Sequence, residues 1–352
     1  MRETILDPDL PIIDPHHHLW DMQVLLKMMT ANTHPFTDGI RMSPVYLLEE
    51  LLADMGGGHD VRATVLIESG SFHRADGPEA MKTVGEVEHA NGAAARCASG
   101  LYGPVRACAA IVGHADLALG DAVAPVLDAL IAAGNGRLRG IRHMGAADSD
   151  PAVMGVIAVV THTPAHLFLD KGFRAGFAHL DRLGLSFDAW VLEPQIDDVA
   201  DLADAFPNTP IVLNHVGTPV GIGAYAGRLA ERFEPWRAAI RRLAERPNVM
   251  VKLGGLGMPF AGFDGMGPTV RPSSETLARH WRPYIETCIE AFGPARAMFE
   301  SNFPVDRWGA DYRTLWNAFK RIAANASAAE KRELFAGSAA RFYRLPTLRG
   351  DV

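Results

Sequence analysis

Asp14, His16 and His18 recur at every second position in Ile12-Ile13-Asp14-Pro15-His16-His17-His18-Leu19-Trp20. In an extended strand that spacing puts all three side chains on one face. Two imidazoles reaching one point from one side suit a divalent metal ion or a substrate carbonyl oxygen. A His-x-His pair is weak evidence alone, so the chemistry depends on other segments delivering polar groups to the same point. Several apolar runs end on such groups: Glu68, Arg142 with His143, Glu193, His215, Lys252, and Glu300 with Asn302. Each alone is compatible with a surface or satisfied core residue, but a purely structural chain has no need of the clustering. His215 closes Ile211-Val212-Leu213-Asn214 and is a ligand or acid/base candidate; the alternative is a core histidine bonded to a carbonyl. Met298, Glu300 and Asn302 share a face of the last run, and Pro304 ends its pairing, leaving Asp306 in the loop.

Apolar runs alternating with helical patterns must position these groups. Strands are expected at residues 12–14, 61–68, 105–112, 138–144, 185–192, 210–215, 248–253 and 296–302. Ser43 and Pro44 read as the cap and first turn of a helix. Further helices are expected near residues 78–90, 122–133, 173–183, 197–206, 233–245, 275–292, 312–324 and 328–343, the last opened by the capping box Ser327-Ala328-Ala329-Glu330. Eight strands with helices between them make an α/β fold, a (β/α)8 TIM barrel, here one domain over residues 1–352. The Gly- and Pro-rich stretch 254–272 reads as a long loop after the seventh strand, at the mouth where barrels keep their chemistry. Loop 32–41, with His34, Phe36 and Arg41, is a second candidate pocket lining.

The 352 residues are 48% hydrophobic, enough for a large core. Formal charge is −7, and no Lys/Arg block supports a nucleic-acid partner. Cys97, Cys108 and Cys288 are odd in number and far apart, which fits buried thiols in a reducing compartment. No signal core and no membrane-length apolar run is evident, so a soluble, cytoplasmic protein with a small-molecule substrate is expected. A homodimer or larger homo-oligomer is compatible with the sequence.

The chain resembles the amidohydrolase superfamily and, within it, the amidohydrolase-2 group of lactonases and related enzymes. The resemblance rests on 13–21 (IDPHHHLWD), 140–143 (GIRH), 187–190 (FDAW), 214–219 (NHVGTP), 251–255 (VKLGG) and 301–306 (SNFPVD), in the family's order. It implies a barrel of the metal-dependent-hydrolase type, with His16, His18 and His215 as metal ligands or acid/base groups. One divalent ion, zinc or manganese, would polarise a carbonyl or lower the pKa of water. Some lactonases of the group are thought to work without metal, the same histidines then binding the carbonyl oxygen directly. Arg142 with His143 would suit an anionic ring substrate, an ion pair with a barrel carboxylate being the alternative for Arg142. Glu68, Lys252 and Trp20 complete the expected substrate contacts.

Three departures from the family pattern bear on mechanism. Asn302 stands where relatives usually carry the aspartate that deprotonates water, and an amide has no such basicity. Asp306, Glu300, Glu193 or a histidine would then be the base, with Asn302 holding water or an oxyanion. Glu193-Pro194-Gln195 replaces a frequent His-Pro-Gln turn. The fourth strand carries no lysine, so at most one metal is expected. The leading expectation is hydrolysis of a small carboxylated or sugar-derived lactone. The alternatives are non-oxidative decarboxylation of an aromatic or enol acid, which Asn302 disfavours, and a barrel that binds ligands without turnover.

Overall fold

Eight short runs, most of them continuously apolar, pair side by side in parallel, as strands buried on both faces do. They are β1 (Pro11–His17), β2 (Asp60–Ile67), β3 (Arg106–His114), β4 (Leu138–Arg142), β5 (Ser186–Ala189), β6 (Ile211–Leu213), β7 (Val249–Leu253) and β8 (Ala297–Phe299), hydrogen-bonded in that order. The computed structural model describes residues 3–30, 32–155 and 163–346; both ends of the expected 1–352 domain lie outside this range. Beyond β8, the Asn302 amide donates to the His16 carbonyl at 2.9 Å and the His18 amide to the Phe303 carbonyl at 2.8 Å. These bonds join the last strand to the first, and the helices surround a (β/α)8 barrel.

The barrel interior packs Ile13, Ala63, Val65, Ile67, Ala110, Val112, Val212 and Met298, with Phe342 and Tyr343 of the last helical segment in the same cluster. Lys252 and Asp188 are buried as well, 2.7 Å apart, and the Tyr343 hydroxyl donates to Asp188 at 3.0 Å.

Strand β1 corrects the expected period of two. Its register shifts between Asp14 and His17. Asp14 accepts from the Ser301 amide and the Tyr312 hydroxyl, both at 2.9 Å, while His16 turns to the buried groups of the barrel mouth. His17 turns instead to Thr64, Nε2 to Oγ1 at 2.8 Å. The irregularity separates Asp14 from the two histidines it was expected to accompany.

Ser43 does not open a helix. It ends the helix Pro35–Met42, and Val45–Tyr46 then pairs antiparallel with Trp20–Asp21 before the helix Leu48–Met55. His34 caps Pro35–Met42 by accepting the Phe36 amide at 3.1 Å, so the expected loop 32–41 is mostly helix. Strands β5 and β8 are shorter than expected, ending at Ala189 and Phe299. The Ser327–Glu330 capping box forms as expected. Leu117–Gly134 has the length and hydropathy of a membrane span, contrary to expectation. It is kinked at Gly120, and only Ala124–Gly134 is regular α-helix, too short to cross a bilayer. Its Leu117, Val123, Leu127 and Leu130 are buried in the layer between strands and helices.

Candidate active site

A cavity of about 630 Å3 opens at the carboxyl ends of the strands. His18, Trp20, Glu68, Arg142, His143, His215 and Asn302 line it. His16 and Glu300 lie beneath, fully buried. Glu300 draws the histidines together: its Oε1 is 2.7 Å from His215 Nδ1 and also accepts the His215 amide at 3.1 Å. Its Oε2 is 2.7 Å from His16 Nδ1 and 4.0 Å from Lys252 Nζ, yet without hydrogen-bond alignment, so this buried oxygen has no hydrogen-bond partner. The His16 ring centroid is 4.5 Å from that of His215 and 5.0 Å from that of His18.

The backbone is shaped for this approach. His215, Val216 and Asn302 have φ near +50°, a region costly for side chains with a Cβ and most so for branched Val216. Opposite them stand Gly254 and Gly255. A Cβ on Gly255 (φ 69°) would fall 2.4 Å from His215 Cβ, and one on Gly254 would fall 2.5 Å from Glu300 Cγ. Glycine at both positions lets His215 and Glu300 meet.

Burial sets the protonation states. His16 and His215 are held well below the usual histidine range by burial, reinforced by Lys252 and Arg142, and are neutral. Burial, then Arg142, takes His18 down to about 3. Glu300 is pushed up to about 8 by burial, against the pull of Lys252. His18 Nδ1 donates to the Ile67 carbonyl at 2.9 Å, which leaves its Nε2 lone pair unengaged.

Arg142 links floor and wall. Its Nε is 2.6 Å from Glu68 Oε1, its Nη2 bonds the Glu68 carbonyl, and its Nη1 is 3.4 Å from His16 Nε2. Burial, the largest single influence, would raise the Glu68 pKa, but Arg142, His114 and His18 together outweigh it and the net direction is down. The guanidinium also sits over Trp190, 5.7 Å from the ring centroid. Trp20 stacks on His18 at 5.9 Å.

Three expected contributors lie elsewhere. Glu193 opens a short turn after β5 that carries its carboxylate to Arg232, 2.7 Å away, outside the cavity. Asp306 is buried behind Asn302, accepting from Asn302 Nδ2 at 2.7 Å and the Gly257 amide at 2.9 Å. Fully buried, it orients Asn302 rather than facing water, and the same burial holds its pKa well above the carboxylate range. Lys252 points inward under His16, its Nζ 2.9 Å from the Pro15 carbonyl and 3.2 Å from His16 Nδ1, and does not reach the cavity. His114 and Trp190 line the cavity and were not anticipated. His114 was missed because β3 runs through Gly113 to His114, two residues past its expected end.

Among the described residues, the buried group that could hold a metal ion is His16, His215 and Glu300, with ligand atoms within 4.8 Å of one another. Of the expected set His16, His18 and His215, two members join Glu300 in this group, while His18 stands on the cavity wall. Two imidazoles and one carboxylate, whose Oε2 has no hydrogen-bond partner, form a donor set that fits a divalent ion such as zinc.

The amidohydrolase family model matches residues 13–345. The chain belongs to the amidohydrolase-2 family. It is 35% identical over 341 residues to the Sinorhizobium fredii protein y4mH, covering 96% of this chain and 99% of that one. It is 34% identical over 240 residues to a Burkholderia multivorans protein named L-fucono-1,5-lactonase, covering 68% and 72%. A crystal structure of a Burkholderia multivorans amidohydrolase with bound zinc superposes with a TM-score of 0.70 at 28% identity, covering 95% and 99%. The family member thus has a His/Glu triad at its barrel mouth, and its relatives include sugar lactonases.

Proposed function

We propose that this chain hydrolyses a small lactone. The observation that carries this reading is the joining of His16 and His215 by Glu300 directly beneath a cavity of small-molecule size. The likeness to proteins named as lactonases supports the same reaction class.

His16, His215 and Glu300 would hold one divalent ion, zinc or manganese, which supplies Lewis acidity for the ester carbonyl and for water. The remaining steps belong to the chain. Trp20 and Trp190 shape the slot for the ring, and Arg142 fixes the wall behind it. His18 Nε2 accepts one hydrogen of the attacking water. Asn302 Nδ2 is committed to Asp306, so its carbonyl oxygen accepts the other. Water adds to the carbonyl carbon, the ring C–O bond breaks, and the water proton ends on the alkoxide oxygen that leaves.

A second, metal-free form of the reading is favoured by one observation: Lys252 Nζ and Arg142 Nη1 already flank His16 at 3.2 and 3.4 Å. Here His215, its Nδ1 on Glu300, takes the water proton at Nε2 and returns it to the alkoxide oxygen that leaves. Elemental analysis of untreated protein, paired with acid release from a lactone panel before and after chelation, tests both forms. A stoichiometric metal and loss of activity on chelation support the first. Activity without metal supports the second, and no acid release from any lactone overturns the proposal.

A further inference from the structure

We propose, building on the lactone reading, that His114 and His143 form a hydroxyl-recognition subsite, so that the ring accepted is polyhydroxylated and neutral rather than carboxylated. Both residues line the cavity, their ring centroids 5.1 Å apart in an edge-on pair. Their hydrogen bonds fix opposite tautomers. His114 Nδ1 lies 3.0 Å from the Arg142 carbonyl, which can only accept, so the neutral ring carries its proton there and offers Nε2 as an acceptor. His143 Nδ1 receives the Leu117 amide at 3.2 Å, so it carries no proton and Nε2–H is a donor. One acceptor beside one donor matches an alcohol hydroxyl, which both donates and accepts. A carboxylate accepts only and would leave His114 unmatched.

The charges on the wall agree. Arg142 is the one Lys or Arg among the described lining residues, and its guanidinium is already engaged by the Glu68 carboxylate and carbonyl. The undescribed stretch 156–162 contains neither Lys nor Arg. Burial takes His143 down to about 3, so it brings no positive charge at neutral pH. Asp116 lines the same wall and adds a negative charge that repels a carboxylate. The anionic ring expected from the Arg142-His143 dipeptide therefore lacks an unpaired cation to receive it.

Binding of non-hydrolysable lactams, measured by calorimetry, separates this inference from the lactonase reading, which turnover tests on its own. The probes are gluconolactam, its unhydroxylated parent δ-valerolactam, and a piperidone carboxylate. Gluconolactam is expected to bind about tenfold or more tightly than either of the others. In His143→Phe, which keeps an aromatic ring against Phe173, the gluconolactam preference over δ-valerolactam should shrink by about tenfold. His143→Gln can accept from Leu117 and still donate, and should restore part of it. Melting curves confirm that both variants are folded. Equal affinities, tighter binding of the carboxylate, or a preference unchanged in His143→Phe would overturn the proposal. So would a preference equally lost in His143→Gln.

Discussion

Replacing Lys252 with methionine tests whether this lysine is a buried support for His16 rather than a substrate contact. Its ammonium has four polar neighbours: Asp188 Oδ1 at 2.7 Å, the Pro15 carbonyl at 2.9 Å, His16 Nδ1 at 3.2 Å and, farther off, Glu300 Oε2 at 4.0 Å. Methionine fills the volume but leaves Asp188 buried and short of its counter-charge, with Tyr343 and Asn214 still donating to it. Breaking a buried ion pair from one side costs about 3–5 kcal/mol. Unfolding entropy is about 2.1 cal/mol/K per residue. Across 352 residues, a loss of about 4 kcal/mol then lowers Tm by about 5 °C. Asp188→Asn should cost a comparable amount, and the double variant should cost less than the two combined by about 1–3 kcal/mol. Thermal melts of the four proteins close the cycle. Strict additivity, or a Lys252→Met variant as stable as the parent, would refute this placement of the lysine.

Other consequences are open to simple assays. Arg142→Lys keeps the charge but not the fork that spans the Glu68 carboxylate and carbonyl, so kcat/KM on a responsive lactone should fall about 100-fold; a near-normal value contradicts the assigned role. Asn302→Asp would set two buried carboxyls where Nδ2 now meets Asp306 at 2.7 Å. It should lose about 1–3 kcal/mol of stability and gain no activity, although the family pattern has aspartate there; a faster variant would argue against the Asn302–Asp306 pairing. Burial, then Glu68, raises Glu86 to about 8. The folded protein binds that proton more tightly than the unfolded chain, so the contribution is whole below about pH 4.5 and is lost as pH rises through about 8. Glu86→Gln should therefore lose less Tm than the parent between pH 6 and pH 9, and equal losses would count against the assignment.

The barrel was legible because its strands are buried on both faces, so β2, β3, β4, β6 and β7 read as apolar runs close to their observed limits. His18, His215, Arg142 and Glu68 were legible for a related reason: each is a polar residue at or just beyond the end of such a run. What failed was orientation. Nothing local marks the register shift that parts Asp14 from His16. Nor does the sequence show that β5 stops at Ala189, which sends Glu193 to Arg232. Lys252 has the right position but points down the barrel, where Asp188 answers its charge across strands. The joining of Glu300 to two histidines is likewise a tertiary event, hinted at only by Gly254-Gly255, whose missing side chains make the room.

Acid release by Glu300→Gln tests the central claim most directly, because the Glu300 carboxylate lies 2.7 Å from each of the two floor histidines. On any lactone the parent opens, the amide should lower kcat by about 100-fold or more while the protein stays folded. A folded Glu300→Gln protein that opens the same ring at the parental rate would contradict the assignment of chemistry to this cluster.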